Sequence, residues 1–158
     1  MIREQTFWPM FAISMAWVLL VVSASVVFRL RRGKYLLRPQ IPDAIFAETW
    51  RSGRSLRNAM TRLGGASGCL WVTVTSDELH VGAHFPFTLM FLPESYGLEH
   101  RIEVGRIRAV ERVRSLLGAK RVAVRFATRD GKEEALELQL ADSDRFMTAL
   151  AAAKTLHE

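Results

Sequence analysis

The chain has 158 residues, 49% of them hydrophobic and 24% charged, which leaves room for about one domain plus an appendage. Its formal net charge is +6 and its single cysteine is Cys69, so an intrachain disulfide is excluded. The charge is segregated: residues 7–28 carry none, residues 29–62 carry nine basic residues against Asp43 and Glu48, and residues 63–158 carry twelve basic against thirteen acidic.

The basic balance therefore belongs to a collar behind an apolar segment, not to a basic domain. A nucleic-acid surface would interleave basic residues with exposed aromatics. The near-neutral remainder argues against that class of partner.

Residues 7–28 predict a helix of about 33 Å, enough to cross a hydrocarbon core of about 30 Å. Phe7 and Trp8 stand where an interfacial aromatic belt would be, and Pro9 falls in the first turn, where its missing N–H costs little. Val22-Ser23-Ala24 resembles a signal-peptidase site. The apolar run is too long for a signal peptide, however, and its positive charges follow it instead of preceding it. The expectation is an uncleaved anchor.

Arg29, Arg31, Arg32, Lys34 and Arg38 flank the span and should stay on the cytoplasmic side, with the N-terminus outside. They are also the candidate membrane-surface residues, each attracted to anionic headgroups by about 1 kcal/mol.

Pro39 and Pro42 bracket an extended linker, so that residues 29–42 form a juxtamembrane segment and 43–158 the domain. A first strand is expected over 44–51. Residues 52–68 then make a long polar connection, with one helical turn around 56–63. Its arginines, Arg54, Arg57 and Arg62, are a candidate anionic-ligand loop.

Leu70, Val72 and Val74 alternate with Trp71, Thr73 and Thr75, and Ser76-Asp77 turns the chain into a partner strand with Leu79 and Val81 inward. Cys69 reads as a buried strand residue. The stretch HFPFTLMFLPESYGL at 84–98 is too apolar for an ordinary surface loop. It either seals the core or offers Phe85, Phe87 and Phe91 as a contact patch for bilayer or partner.

Two further strands are expected at 100–104 and 106–114, the second irregular near Glu111. Val122, Val124 and Phe126 lead through an Asp130-Gly131 hairpin to Leu136, Leu138 and Leu140. Glu133, Glu134 and Glu137 are expected on its solvent side. Asp142 then caps a helix with Phe146, Met147, Leu150 and Ala153 on one side.

About seven antiparallel strands and a terminal helix would bury one face by curling into a barrel plugged by the helix. This layout resembles the pleckstrin-homology-like fold, and more closely the bacterial PH-like and GRAM-like domains that follow membrane spans. The segments carrying it are Leu70–Val74, Leu79–Val81, FPFTLMFL at 85–92, IEVGRIRAVERV at 102–113 and the Asp-Gly hairpin with Phe146 and Leu150.

The resemblance implies a bacterial inner-membrane location and a cytoplasmic module for protein interaction or surface association. The alternative is a lipid- or small-molecule-binding domain using the barrel opening. In that family the loop between the first two strands often holds phosphoinositide headgroups, completed by basic residues on the second strand. LWVTV has none, which leaves general attraction to an anionic surface.

No cofactor or metal is expected. His80 and His84 lie about 13 Å apart along an extended strand, too far to share one ion. The sequence has no phosphate loop, no nucleophile elbow and no nucleophile–base pair, so catalysis is not expected. The protein partner and the oligomeric state are left open.

Overall fold

The computed structural model describes residues 4–35, 37–58, 61–62, 64–90, 96–114 and 120–156. The apolar run forms one helix, α1 (Glu4–Arg31), in which every residue from Phe7 to Leu20 is exposed. A helix that is apolar all round must be covered by a protein shell or by lipid. Among the described residues nothing covers Phe7–Leu20, and the Phe7–Arg31 portion is long and apolar enough to cross a membrane.

The helix ends in a Schellman motif. Gly33 takes φ +64, its N–H donates to Leu30 O at 3.1 Å and the Lys34 N–H donates to Arg29 O at 3.0 Å. A glycine at this position accepts the left-handed turn without a Cβ clash, and it redirects the chain sharply at the end of the apolar run.

Seven strands follow: β1 (Phe46–Ser55), β2 (Ala66–Val74), β3 (Glu78–Ala83), β4 (His100–Glu103), β5 (Ile107–Arg114), β6 (Lys120–Ala127) and β7 (Glu133–Gln139). They make one antiparallel sheet in the order β4-β3-β2-β1-β7-β6-β5, completed by the helix α2 (Ser143–Thr155). The expected strand count, pairing direction and terminal helix are all present.

Closure into a barrel is not. β4 and β5 end the order and are not hydrogen-bonded to each other. The sheet nevertheless curls, because His100 of β4 meets Phe126 of β6 edge-to-face with centroids 5.3 Å apart.

The core sits in the concavity. Val72, Val74, Leu79, Val81, Val122, Val124, Leu136 and Leu138 line it from alternate strand positions. α2 lays Phe146, Ala149, Leu150 and Ala153 over them, the i, i+3, i+4, i+7 spacing of one helix face. Full burial of Phe146 or Leu150 contributes about 2–3 kcal/mol each, and Phe146 meets Phe46 in a T-shaped contact with centroids 5.4 Å apart. Asp142 caps α2 as expected, its Oδ1 accepting from Arg145 N at 2.9 Å.

Several boundaries differ from the sequence reading. β1 runs on to Ser55 and β2 starts at Ala66, so much of the supposed 52–68 connection is strand. Polar composition hid this. Gly53 is what permits the pairing, since a Cβ there would stand 3.0 Å from both Glu137 O and the Leu138 side chain.

Of the expected helical turn, residues 59 and 60 lie outside the described residues; the Arg62 N–H donates to Asn58 O at 3.0 Å and Asn58 Oδ1 accepts from Thr61 N at 2.8 Å. Leu63 lies outside the described residues. The register shift in β5 falls between Ile107 and Ala109, not near Glu111. From Cys69 to Val74 β2 is buried on both faces, and residues of the juxtamembrane linker line a cleft with Trp71 on the outer one.

Candidate functional site

The end of α1 is seated in the domain. Ser25 and Arg29 are fully buried. Arg29 Nη2 donates to Tyr35 O and to Glu99 Oε1, each at 2.7 Å, and Lys34 Nζ lies 2.9 Å from Glu99 Oε2. Removing a guanidinium from water costs several kcal/mol, and it is tolerated only with a carboxylate and hydrogen bonds of good geometry. Glu99 supplies the carboxylate. Of the five collar residues, Arg29 is thus turned inward as a docking residue. Arg31, Arg32 and Arg38 are exposed, and Lys34 is half-buried against Glu99.

The apolar stretch after β3 forms the other wall of this seat. A 3-10 turn (Phe87–Met90) lies against α1. Phe87 is half-buried on a small second cluster of Leu70, Ala83 and Leu98. Phe87 therefore belongs to packing, Phe85 is exposed, and Phe91 lies outside the described residues.

Beside the seat, the linker after α1 runs over the outer face of β2, β3 and β4 and encloses a cleft of about 680 Å³ lined by Tyr35, Trp71, Glu78, His80 and Arg101 among others. Trp71 lies flat here because Gly82 has no side chain: a Cβ would come 2.6 Å from the indole ring. The indole Nε1–H donates to Ala83 O at 3.2 Å, and the Arg38 guanidinium stands 5.9 Å from the ring centroid.

His80 Nε2 is 3.1 Å from Glu78, which also accepts from Arg101 Nε at 2.6 Å. Burial pushes the His80 pKa below its usual value despite Glu78. Burial raises the Cys69 pKa, so its thiol stays protonated and poorly nucleophilic. The core beneath is made of buried apolar side chains, and this outer cleft is more than twice the volume of a cleft of about 290 Å³ beside Arg54.

Next to the cleft, Trp50 stacks on His84 with centroids 4.5 Å apart and planes 12° apart. Trp50 has φ +57, a conformation that costs a bulky residue about 1–3 kcal/mol. It sits at a register shift between Glu48 and Arg51 in the pairing with β2. Burial, and next the Arg38 charge, lower the His84 pKa and keep its ring neutral.

Of the three arginines expected in a loop, Arg54 lies near the end of β1 and lines the separate cleft of about 290 Å³ with Gly64, Gly65 and Ser67, while Arg57 and Arg62 are not part of its lining. Arg54 is 2.7 Å from Glu137, which Arg121 approaches at 3.3 Å. Arg57 is 3.5 Å from Glu134, and Arg62 Nε donates to Leu56 O at 3.2 Å. The structure brings Arg54 and Arg62 together, with Arg54 Nη1 donating to Arg62 O at 3.3 Å. It also sets carboxylates against Arg54 and Arg57.

Glu137 is buried, contrary to the solvent placement expected for it, because two guanidinium groups converge on it. Glu99, Glu137 and Trp50 are the site residues that sequence reasoning passed over. Each takes its role from a partner distant in sequence or from a backbone irregularity.

Among the described residues, no group of three or more His, Cys, Asp or Glu side chains is placed to hold a metal. No protein-family model matches the chain, and no curated protein or solved structure is significantly similar to it.

Proposed function

We propose that the chain is a single-span membrane protein whose PH-like sheet domain is held against the cytoplasmic face of a bacterial inner membrane. There it serves protein interaction or association with the membrane surface, without catalysis. The observation carrying this reading is the seat of α1: a helix suited to lipid ends in a buried arginine that is ion-paired to the domain. A domain so attached is a positioned module.

The strand order with a helix over the concave face supports the PH-like resemblance. The exposed Arg31, Arg32 and Arg38 support a cytoplasmic placement, since basic flanks stay inside. A second reading, a small ligand, draws on the outer cleft beneath the linker and not on a barrel opening.

A reporter fused after the C-terminus of the full chain tests the topology. It should read cytoplasmic, and neutralising Arg31, Arg32 and Arg38 should weaken that preference. A reporter active only outside would overturn the placement. Capture from solubilised membranes, comparing the full chain with one whose residues 7–28 are replaced by an unrelated span, tests the interaction role. A partner kept by both belongs to the domain, and a partner lost with the native span belongs to α1.

A further inference from the structure

We propose that Trp50 and Phe85 form an interfacial foot that seats the domain in the headgroup layer of the same membrane that α1 crosses. This rests on the reading of α1 as a span. The domain buries most of its large apolar side chains, yet Trp50 is 58% exposed and Phe85 53% exposed. They are neighbours, because Trp50 stacks on His84 and Phe85 follows His84 in the chain.

The backbone favours this exposure at a cost. Trp50 is held in the left-handed region that suits glycine, at the point where β1 slips register against β2. A bulky ring kept outward in that conformation points to a role at the surface.

The position of the pair selects its partner. Phe85 leads directly into the turn Phe87–Met90 that lies against α1, so the foot is continuous with the base of the span. Arg38 stands beside it, close enough to depress the His84 pKa, and its exposed side chain suits lipid phosphate. Tryptophan prefers the headgroup level, where its ring is half in hydrocarbon and its N–H remains wet.

Two rings make too small a patch for a specific protein interface, which takes about 800 Å² from each partner. They are enough for a tethered domain, whose effective concentration at the bilayer is already high.

The test reconstitutes the full chain into vesicles of phosphatidylcholine and phosphatidylglycerol, with and without lipid brominated high on the acyl chain. The emission of Trp50 is isolated as the difference between the full chain and Trp50→Phe. Trp50→Gly, which suits the left-handed backbone, gives the same difference by an independent route. The Trp50 emission should lose most of its intensity to brominated lipid and little to aqueous iodide.

Quenching by iodide alone would overturn the foot. So would protection from both quenchers, which would mean that a second copy or another protein covers it. Trp17, isolated in the same way with Trp17→Phe, reports on the span. Quenching of Trp17 without Trp50 would remove the foot and leave the span standing, whereas quenching of neither would remove both.

Discussion

Arg29 donates a 2.7 Å hydrogen bond to Glu99 across seventy positions of sequence, and this contact joins the apolar helix to the sheet domain. Arg29 is fully buried while Glu99 keeps partial access to water. The pair fixes the rotation of the helix end, and Lys34 closes the carboxylate from its other side. Glu99→Ala should remove this carboxylate from the buried Arg29 guanidinium, at a cost of about 2 kcal/mol given the partial exposure of Glu99. Amide exchange on the full chain in nanodiscs would read this as faster exchange across 33–43 and 96–100, with the core of β6 and β7 unaffected. Unchanged exchange in the linker would show that the pair does not hold the seat. Glu99→Gln should fall between, because it keeps an acceptor and loses the charge.

A comparable carboxylate restrains Arg54 at the end of β1. Glu137 is buried and serves both Arg54 and Arg121. Glu137→Gln should lower stability by about 1.5–3 kcal/mol, the range for a hydrogen bond to a charged group. It should also free two guanidinium groups beside Gly64 and Gly65. Added pyrophosphate should therefore raise the melting temperature of the variant more than that of the parent, both as full chains in neutral detergent. Equal shifts would mean that the arginines are not held in check by Glu137.

Much of the architecture could be read from the sequence, because period-two alternation and turn chemistry are local. The Asp130-Gly131 hairpin is the clearest instance: Gly131 takes φ +76, its N–H donates to Thr128 O at 3.0 Å, and Thr128 N–H donates to Lys132 O at 2.8 Å. The strands Glu78–Ala83 and Lys120–Ala127 likewise follow from apolar alternation. The extended β1 did not, because Ser52, Gly53 and Arg54 look like loop when their partners Gln139, Leu138 and Glu137 are unknown. The seat of α1 was illegible for the same reason. Arg29 looks like one more collar residue until the fold brings Glu99 to it.

Gly82 makes room for Trp71, and the outer face of the sheet depends on that room. A methyl group at position 82 would stand 2.6 Å from the indole, whose ring is rigid and 7% exposed. Overpacking of this kind costs about 1–3 kcal/mol. Gly82→Ala should therefore lower the melting temperature, displace the linker from Trp71 and expose that indole to iodide. Trp71→Leu combined with Gly82→Ala should recover much of the loss, because the smaller side chain can shift. Equal melting temperatures for Gly82→Ala and the parent would show that the ring has space to move.

Acid should weaken the fold, and His100 is the main candidate for the cause. Its Nε2 lies 2.6 Å from Gly97 O, which suits a neutral imidazole donating to the carbonyl, and its ring meets Phe126. Burial lowers its pKa from the ordinary 6.5, and this outweighs the Gly97 carbonyl, Glu134 and Glu99, all of which favour the proton; Arg57 opposes it. Above about 6.5 both folded and unfolded chains hold a neutral imidazole, and the folded state keeps its full advantage. Below that value the unfolded chain binds the proton first. Stability then falls with pH until the lowered folded value is passed. His80 and His84 are shifted in the same direction, so they add to the decline. The melting temperature of the full chain should drop between about pH 7 and pH 5. His100→Gln, which keeps a donor for Gly97 O but cannot titrate, should flatten part of that slope. A variant with the parent's full slope would assign the acid sensitivity to the other two histidines.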